Sequence, residues 1–452
     1  MNRFNSFPNR LKSLSQGDAI LKKLASKGAP ALVIKIATAG LTFVMFVLLA
    51  RWLTPEEYGR YATLFTLGTF LGYVIVGGLH TLALRRLPEL DHHQRPDTAA
   101  RLVRDGYLTI IMLAASLAAL AWIGAAALGG VAGPPAWSPL IAILLAAPFA
   151  LAEYQSNILR GWGSVHTALL PRDVAWRILT ILAVGGLTLT GLRLGALEAF
   201  AITAATLFVL VLAQFALGLS RAPAGAFEAA RTGAVQPISL LIEARWLWAA
   251  AVASALIAQL GVVSVGMVLG DVDAGRFFAA QRTSALLSLP LIAAEIVGGP
   301  LIARAWAARN TREIQNICNY IVIGITIPTL AGLLFFILFG GHLMSLFGHE
   351  YASTKGILLI MSVGTLINAL CGPTAVIMLM TGNERSFVGY YASAQLVGLA
   401  LVTGLAATAG VNGAAVASAA SVIIWNLAVR QWSVRRLGID PTAASFLGEK
   451  SF

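Results

Sequence analysis

Eight side chains sit in apolar surroundings where they could do chemistry. Lys35, Arg177 and Arg282 fall inside long hydrophobic runs, as do Glu153, Asp173 and Glu295, and Tyr73 and His80 share a face of another run. An ionisable group inside a bilayer is costly, so it normally faces a water-filled space or a partner. Guanidinium is a planar fork that pairs with phosphate through two hydrogen bonds, whereas an ammonium is a point charge. The three cations, with His80 and Tyr73, are therefore candidates for lining a substrate cavity. Glu153, Glu295 and Asp173 are candidates for a coupling ion. Plainer alternatives stay open. Lys35, on a face with Thr38 and Thr42, could snorkel to the interface, and Arg177 follows Asp173 by four residues, the spacing of a local helical ion pair. Arg282 has no charged residue three or four positions away on either side. Glu153, Asn157 and Arg160 form one polar stripe and Glu295 stands alone, so each acid could instead pair with a cation on another helix. Thr66, Thr69, Tyr73, Gly77 and His80 read as helix packing through small residues, or more sharply as a sugar-lined wall.

The elements that carry these residues follow from composition. Hydrophobic residues make up 58% of the 452, charged residues 12%, and mean hydropathy is +0.79. A soluble domain carries about 25% charged residues. A helix needs about 20 mostly apolar residues to cross the hydrocarbon core. Twelve such runs occur, at 29–50, 62–84, 106–129, 139–159, 171–190, 197–219, 246–268, 277–302, 316–340, 355–380, 388–409 and 413–433. They are too long for barrel strands, and lipid tolerates no open backbone. The chain reads as an all-α polytopic membrane protein. Its net charge of +12 fits loops facing anionic lipid better than nucleic acid. Cys318 and Cys371 lie in apolar runs and imply neither a disulfide framework nor a metal site, and no cofactor motif such as GxxxxGK[ST] is present.

Orientation and repeat come from the loops. If both termini are cytoplasmic, 24 of the 32 Lys and Arg lie on that side, five lie in external loops and three within spans. LTPEEYGRY (53–61) and LGDVDAGRF (269–277) share Leu, Gly and Arg at an offset of 216, and GALEAFA (195–201) echoes GAAVASA (413–419) at 218. Six spans separate the first pair, so both turns belong on the outer face and the halves form a parallel repeat. The expected layout is a basic amphipathic segment over 1–28, a six-helix lobe over 29–219 and a cytoplasmic linker over 220–245. A second six-helix lobe over 246–435 and a cytoplasmic tail over 436–452 complete it.

ARWLTPEEYGRYATLF and the glycine-rich VIVGGLHTLALRRLPEL, with LRGWG (159–163), FGHEYAS (347–353) and GVNGAAVA (410–417), resemble the Wzx-type polysaccharide-transport family. That family belongs to the multidrug/oligosaccharidyl-lipid/polysaccharide (MOP) exporter superfamily. The resemblance covers nearly the whole chain, through motifs that are structural turns. It implies two lobes around a cavity open to each side in turn. The implied role is flipping an undecaprenyl-diphosphate-linked oligosaccharide across a bacterial inner membrane for surface or exopolysaccharide synthesis. A polysaccharide polymerase and a chain-length regulator are then candidate partners beside membrane lipids. The rival is a cation-coupled drug or metabolite antiporter of the same superfamily, which would favour an acidic pocket. An enzyme acting on the same lipid carrier would need a sizeable external loop, and each external loop here is short.

Overall fold

In the computed structural model, residues 33–92, 95–128, 138–219 and 236–446 are described. The basic segment over 1–28, most of the inter-lobe linker and the last six residues lie outside them. The described chain is nearly all helix, with no strand. In the first half, α1 is Val33–Trp52, α2 Pro55–Ile75, α3 Leu79–His92, α4 Pro96–Leu128 and α5 Ser138–Gly161. A rod follows, made of α6 (Val165–Leu169), a π turn (Leu170–Ala175) and α7 (Trp176–Leu189), and α8 (Ala196–Leu219) ends the half. The second half begins with α9 (Pro237–Ala255), a π turn (Leu256–Leu260) and α10 (Gly261–Leu269). Then come α11 (Asp271–Ser284), α12 (Leu289–Ala307) and α13 (Thr311–Ser345). The half closes with α14 (Lys355–Cys371), α15 (Thr374–Met380) and α16 (Glu384–Leu437).

Nine of the described helices are long and apolar enough to cross a membrane, or ten when α2 and α3, bent by 44°, count as one span. Twelve runs were expected, and two features account for the difference. The α6–α7 rod carries Arg172, Asp173 and Arg177 close together, which lowers its apolarity. The 54-residue α16 is two arms, because Gly410 has φ 64° and ψ −156°. The arms run back along each other: Ser421 Oγ donates to the Ala394 carbonyl at 3.2 Å, and a Cβ on Gly413 would lie 2.3 Å from the Leu405 carbonyl oxygen.

The repeated turns begin helices for legible reasons. Thr54 caps α2 by accepting from the Glu57 amide, with Pro55 in the first turn and Glu56 and Glu57 at the positive helix end. In the second half, Gly270 (φ 92°) turns the chain into α11, with Asp271 and Asp273 in its first turn. The two turns lie at the same end of the molecule and touch. A Cβ on Gly59 would sit 1.7 Å from the Asp271 carbonyl oxygen, and one on Gly275 would meet the Gly59 backbone at 3.3 Å. Only glycine permits that approach. Around it Tyr58, fully buried, packs its ring against Phe278, Phe347 and Tyr351 at 5.9–6.5 Å. Arg51 Nε donates to the Leu346 carbonyl at 2.6 Å, and Arg60 pairs with Asp271 at 2.8 Å. The last pair is solvent-exposed and adds little; the buried rings and backbone contact close this turn end.

At the opposite, basic end, Arg85 of α3 pairs with Glu384 of α16 at 2.7 Å, and Arg86 pairs with Glu243 of α9. Two expected boundaries move here. Helix α9 starts at Pro237, nine residues before the expected lobe start, because a proline opens a helix readily and the charges at Glu243 and Arg245 hid the run. The stretch read as a tail from 436 is partly a packed cap. Arg430 forks onto Asp440 at 2.6 and 3.1 Å, Thr442 donates to the same carboxylate, and Gln315 accepts the Asp440 amide. Burial alone would raise that carboxyl, but the hydrogen bonds from Arg430 and Thr442 outweigh it and hold it below the usual carboxylate range.

Gly59→Ala should therefore separate the turn ends rather than unfold the lobes. Spin labels at Glu56 and Asp273 should report a distance longer by several ångströms than in the parent; an unchanged distance would mean that the contact does not depend on glycine.

Candidate substrate site: a cation cluster between the lobes

The α6–α7 rod organises the site. Its π turn opens the backbone beside Arg172 and Asp173, and their carbonyls accept from Arg177 Nη1 at 3.2 and 2.7 Å. Such turns are rare and frequent at functional sites. The Arg177 Nε also donates to Thr42 of α1, and its guanidinium lies 5.5 Å from the Trp176 ring. Arg177 and Asp173 are thus joined through backbone, not through the side-chain pair that their spacing suggests. The Asp173 carboxylate instead takes Lys35 of α1 at 2.7 Å. Lys35 thus has a side-chain partner on the rod.

Arg172, which nothing in its spacing singled out, is the hub. It forks onto Glu153 of α5, Nη2 to Oε1 at 2.6 Å and Nη1 to Oε2 at 3.0 Å. Its Nε also comes within 3.6 Å of Asp173. The acids are nearly closed off, with side chains 8% and 3% exposed, against 18% for Arg172 and 36% for Lys35. The Arg172 guanidinium lies 5.9 Å from the Phe149 ring, and Phe149 meets Tyr73 edge-on at 5.3 Å. Tyr73 lies within electrostatic reach of Arg172, Glu153, Asp173 and Arg282.

Arg282 comes from the other lobe. Its guanidinium lies 4.8 Å from the Phe278 ring and 5.7 Å from Phe46 of α1. Its Nη2 donates to the side-chain Oε1 of Gln259, in the second π turn, at 3.0 Å. Its Nε is buried without a hydrogen-bond partner. Rings of Phe46, Phe65 and Trp176 connect it to Arg177, close enough for the two cations to interact. Among the described residues no carboxylate lies within 4.0 Å of Arg177 or Arg282. Cation–π contact and one neutral acceptor replace an ion pair at Arg282.

The remaining candidates divide. His80 follows the α2–α3 bend, with Nδ1 buried and unpartnered, within reach of Glu153, Arg172 and Arg160. Thr66 and Thr69 bond the carbonyls of Ala62 and Phe65, so they serve their own helix rather than a sugar. Asn157 accepts from Arg160 at 3.3 Å. Glu295 lies on α12 in the second lobe, away from this cluster, with no ion pair among the described residues; its electrostatic neighbour is Tyr391.

Two helical halves joined at both ends, with a charged cluster in the first lobe that Arg282 of the second approaches, have the fold of solved transporters of the MOP superfamily. A multidrug-resistance transporter of the MATE family within that superfamily, solved inward-facing, superposes with a TM-score of 0.74 at 14% identity over 89% of this chain and 94% of that one. An outward-facing structure of a MATE family transporter gives 0.65 at 16% over 92% and 96%. A MOP transporter from Pyrococcus furiosus, whose binding pocket of reversed polarity suggests a different function, gives 0.61 at 14% over 91% and 96%. The model of the polysaccharide biosynthesis protein family matches residues 25–306, and the chain belongs to that family. No curated protein matches the sequence.

Removing one member of the Arg172–Glu153 pair leaves an uncompensated charge, which costs about 3–5 kcal/mol. Arg172→Met should thus lower the melting temperature of the detergent-purified protein clearly. Adding Glu153→Leu should restore most of that loss. Equal or additive losses would show that the pair is not coupled.

Proposed function

We propose that this protein is a flippase. It moves an undecaprenyl-diphosphate-linked oligosaccharide from the cytoplasmic to the periplasmic leaflet of a bacterial inner membrane by alternating access. The observation that carries this reading is the charge of the inter-lobe cluster. Four cations, Lys35, Arg172, Arg177 and Arg282, face two carboxylates, Glu153 and Asp173. The cluster's cations outnumber its carboxylates, with Arg160 also in reach, which suits the negative charge of a diphosphate diester. A cationic drug would be repelled, which disfavours the antiporter reading; within this fold, the Pyrococcus furiosus transporter is a precedent for reversed pocket polarity. The Lys and Arg distribution supports placing the basic end and both termini in the cytoplasm. The turn-end closure then leaves the cluster shut from the periplasm. Membership of the polysaccharide biosynthesis family supports a sugar-linked cargo.

Deleting the gene should strand lipid-linked oligosaccharide on the cytoplasmic leaflet and abolish the surface polymer. Complementation with Arg282→Ala should fail although the protein accumulates in the membrane. Arg282→Lys should rescue in part, because a point charge cannot reproduce the guanidinium fork. Normal polymer in the deletion strain, with new drug sensitivity, would favour the antiporter.

A further inference from the structure

An anion site should have no use for anions of its own, yet two carboxylates are built into this one. They neutralise selectively. Lys35 is held by Asp173 and Arg172 by Glu153, whereas the hydrogen bonds of Arg177 and Arg282 go only to neutral acceptors, with Arg177 in electrostatic reach of Asp173 but not paired with it. The Glu153–Arg172 geometry is informative. Both terminal nitrogens of the guanidinium reach the two carboxylate oxygens, at 2.6 and 3.0 Å. A phosphoryl group offers a pair of oxygens to the same fork. Four bare cations at membrane depth would make the empty site costly, so a resident anion stabilises the state without cargo.

We propose that Glu153 is an internal stand-in for a phosphoryl group: it occupies the fork of Arg172 while the site is empty, is displaced when the diphosphate binds, and reclaims the fork as cargo leaves. This rests on the flippase reading of the cluster and adds a release device to it. Arg177 and Arg282 attract the diphosphate first, because they have no carboxylate to give up. Exchange at Arg172 follows. Glu153 thereby trades affinity for turnover. A site that bound diphosphate with all four cations bare would hold it too long to deliver it.

The test is equilibrium binding of farnesyl diphosphate, with inorganic pyrophosphate as competitor, to the purified full-length protein. Glu153→Gln keeps the shape but gives up the charge, and it should tighten binding about tenfold or more, the scale of a charge-assisted hydrogen bond. Removing a negative charge would raise anion affinity anywhere nearby, so the deciding comparison is made in an Arg172→Ala background. There Glu153→Gln should bring almost no gain, because the fork that it frees is absent. Glu153→Asp, too short to span both nitrogens, should tighten binding by a smaller factor, and it carries the test if the glutamine variant does not fold. A gain that persists undiminished without Arg172, or no gain at all, overturns the stand-in. If in that case the parent still binds and Arg282→Ala weakens it, the flippase site survives alone. Binding by neither the parent nor Glu153→Gln overturns both.

Discussion

A guanidinium inside a bilayer cannot be left without partners, and Arg172 meets that constraint through contacts that fix three elements at once. Its fork ties the α6–α7 rod to α5 through Glu153, and its Nε faces the Asp173 that binds α1 through Lys35. The π turn makes this possible, because it brings two charged side chains and two accepting carbonyls into one stretch of six residues. Arg177 then uses those carbonyls and Thr42, so its own cost is met without a carboxylate. The first lobe is organised around charge neutralisation, and the placement of α1, α5 and the rod follows from it.

Both ends of the molecule are joined by close backbone approach at glycine, Gly78 lying against the Ala244 and Trp248 backbone at the basic end, but that end adds ion pairs. At the turn end, backbone meets backbone at Gly59 and Gly275 under a lid of buried rings, a contact that depends on shape and has no intermediate setting. At the basic end, Arg85–Glu384 and Arg86–Glu243 are half-exposed ion pairs, individually weak and screened by salt. Arg282 lies between them on the second lobe, stacked on a ring from the first. Phe278, which Arg282 also faces, packs on both Phe46 and Tyr58, so one set of rings belongs to the charged site and to the packing beneath the turns.

Much of this was legible in the chain. Repeated turns at an offset of 216 told of two like-oriented halves, and the apolar runs located most of the spanning helices, with ends up to about ten residues off. That the two turns pack on each other was not legible, because a repeat fixes equivalence and not proximity. Most members of the cluster were legible, but its hub and its wiring were not. Four-residue spacing pointed Arg177 at the Asp173 side chain, yet Lys35, 138 positions away, captured that carboxylate. Arg172 escaped notice because an arginine at the edge of an apolar run is ordinary, and its partner lies 19 residues back across a turn. Arg282 was recognised from the lack of local charge, but nothing in the sequence indicated that aromatic rings would take the place of an anion.

The hairpin at Gly410 bears on how the protein is made. With no polar loop between its arms, the reversal must itself lie within or near the far interface, and neither arm brings a charged anchor to that tip. The final two spans therefore have little to hold them singly at the lipid boundary during synthesis. What holds each arm in the bilayer is then its partner, through contacts such as that of Ser421 Oγ with the Ala394 carbonyl.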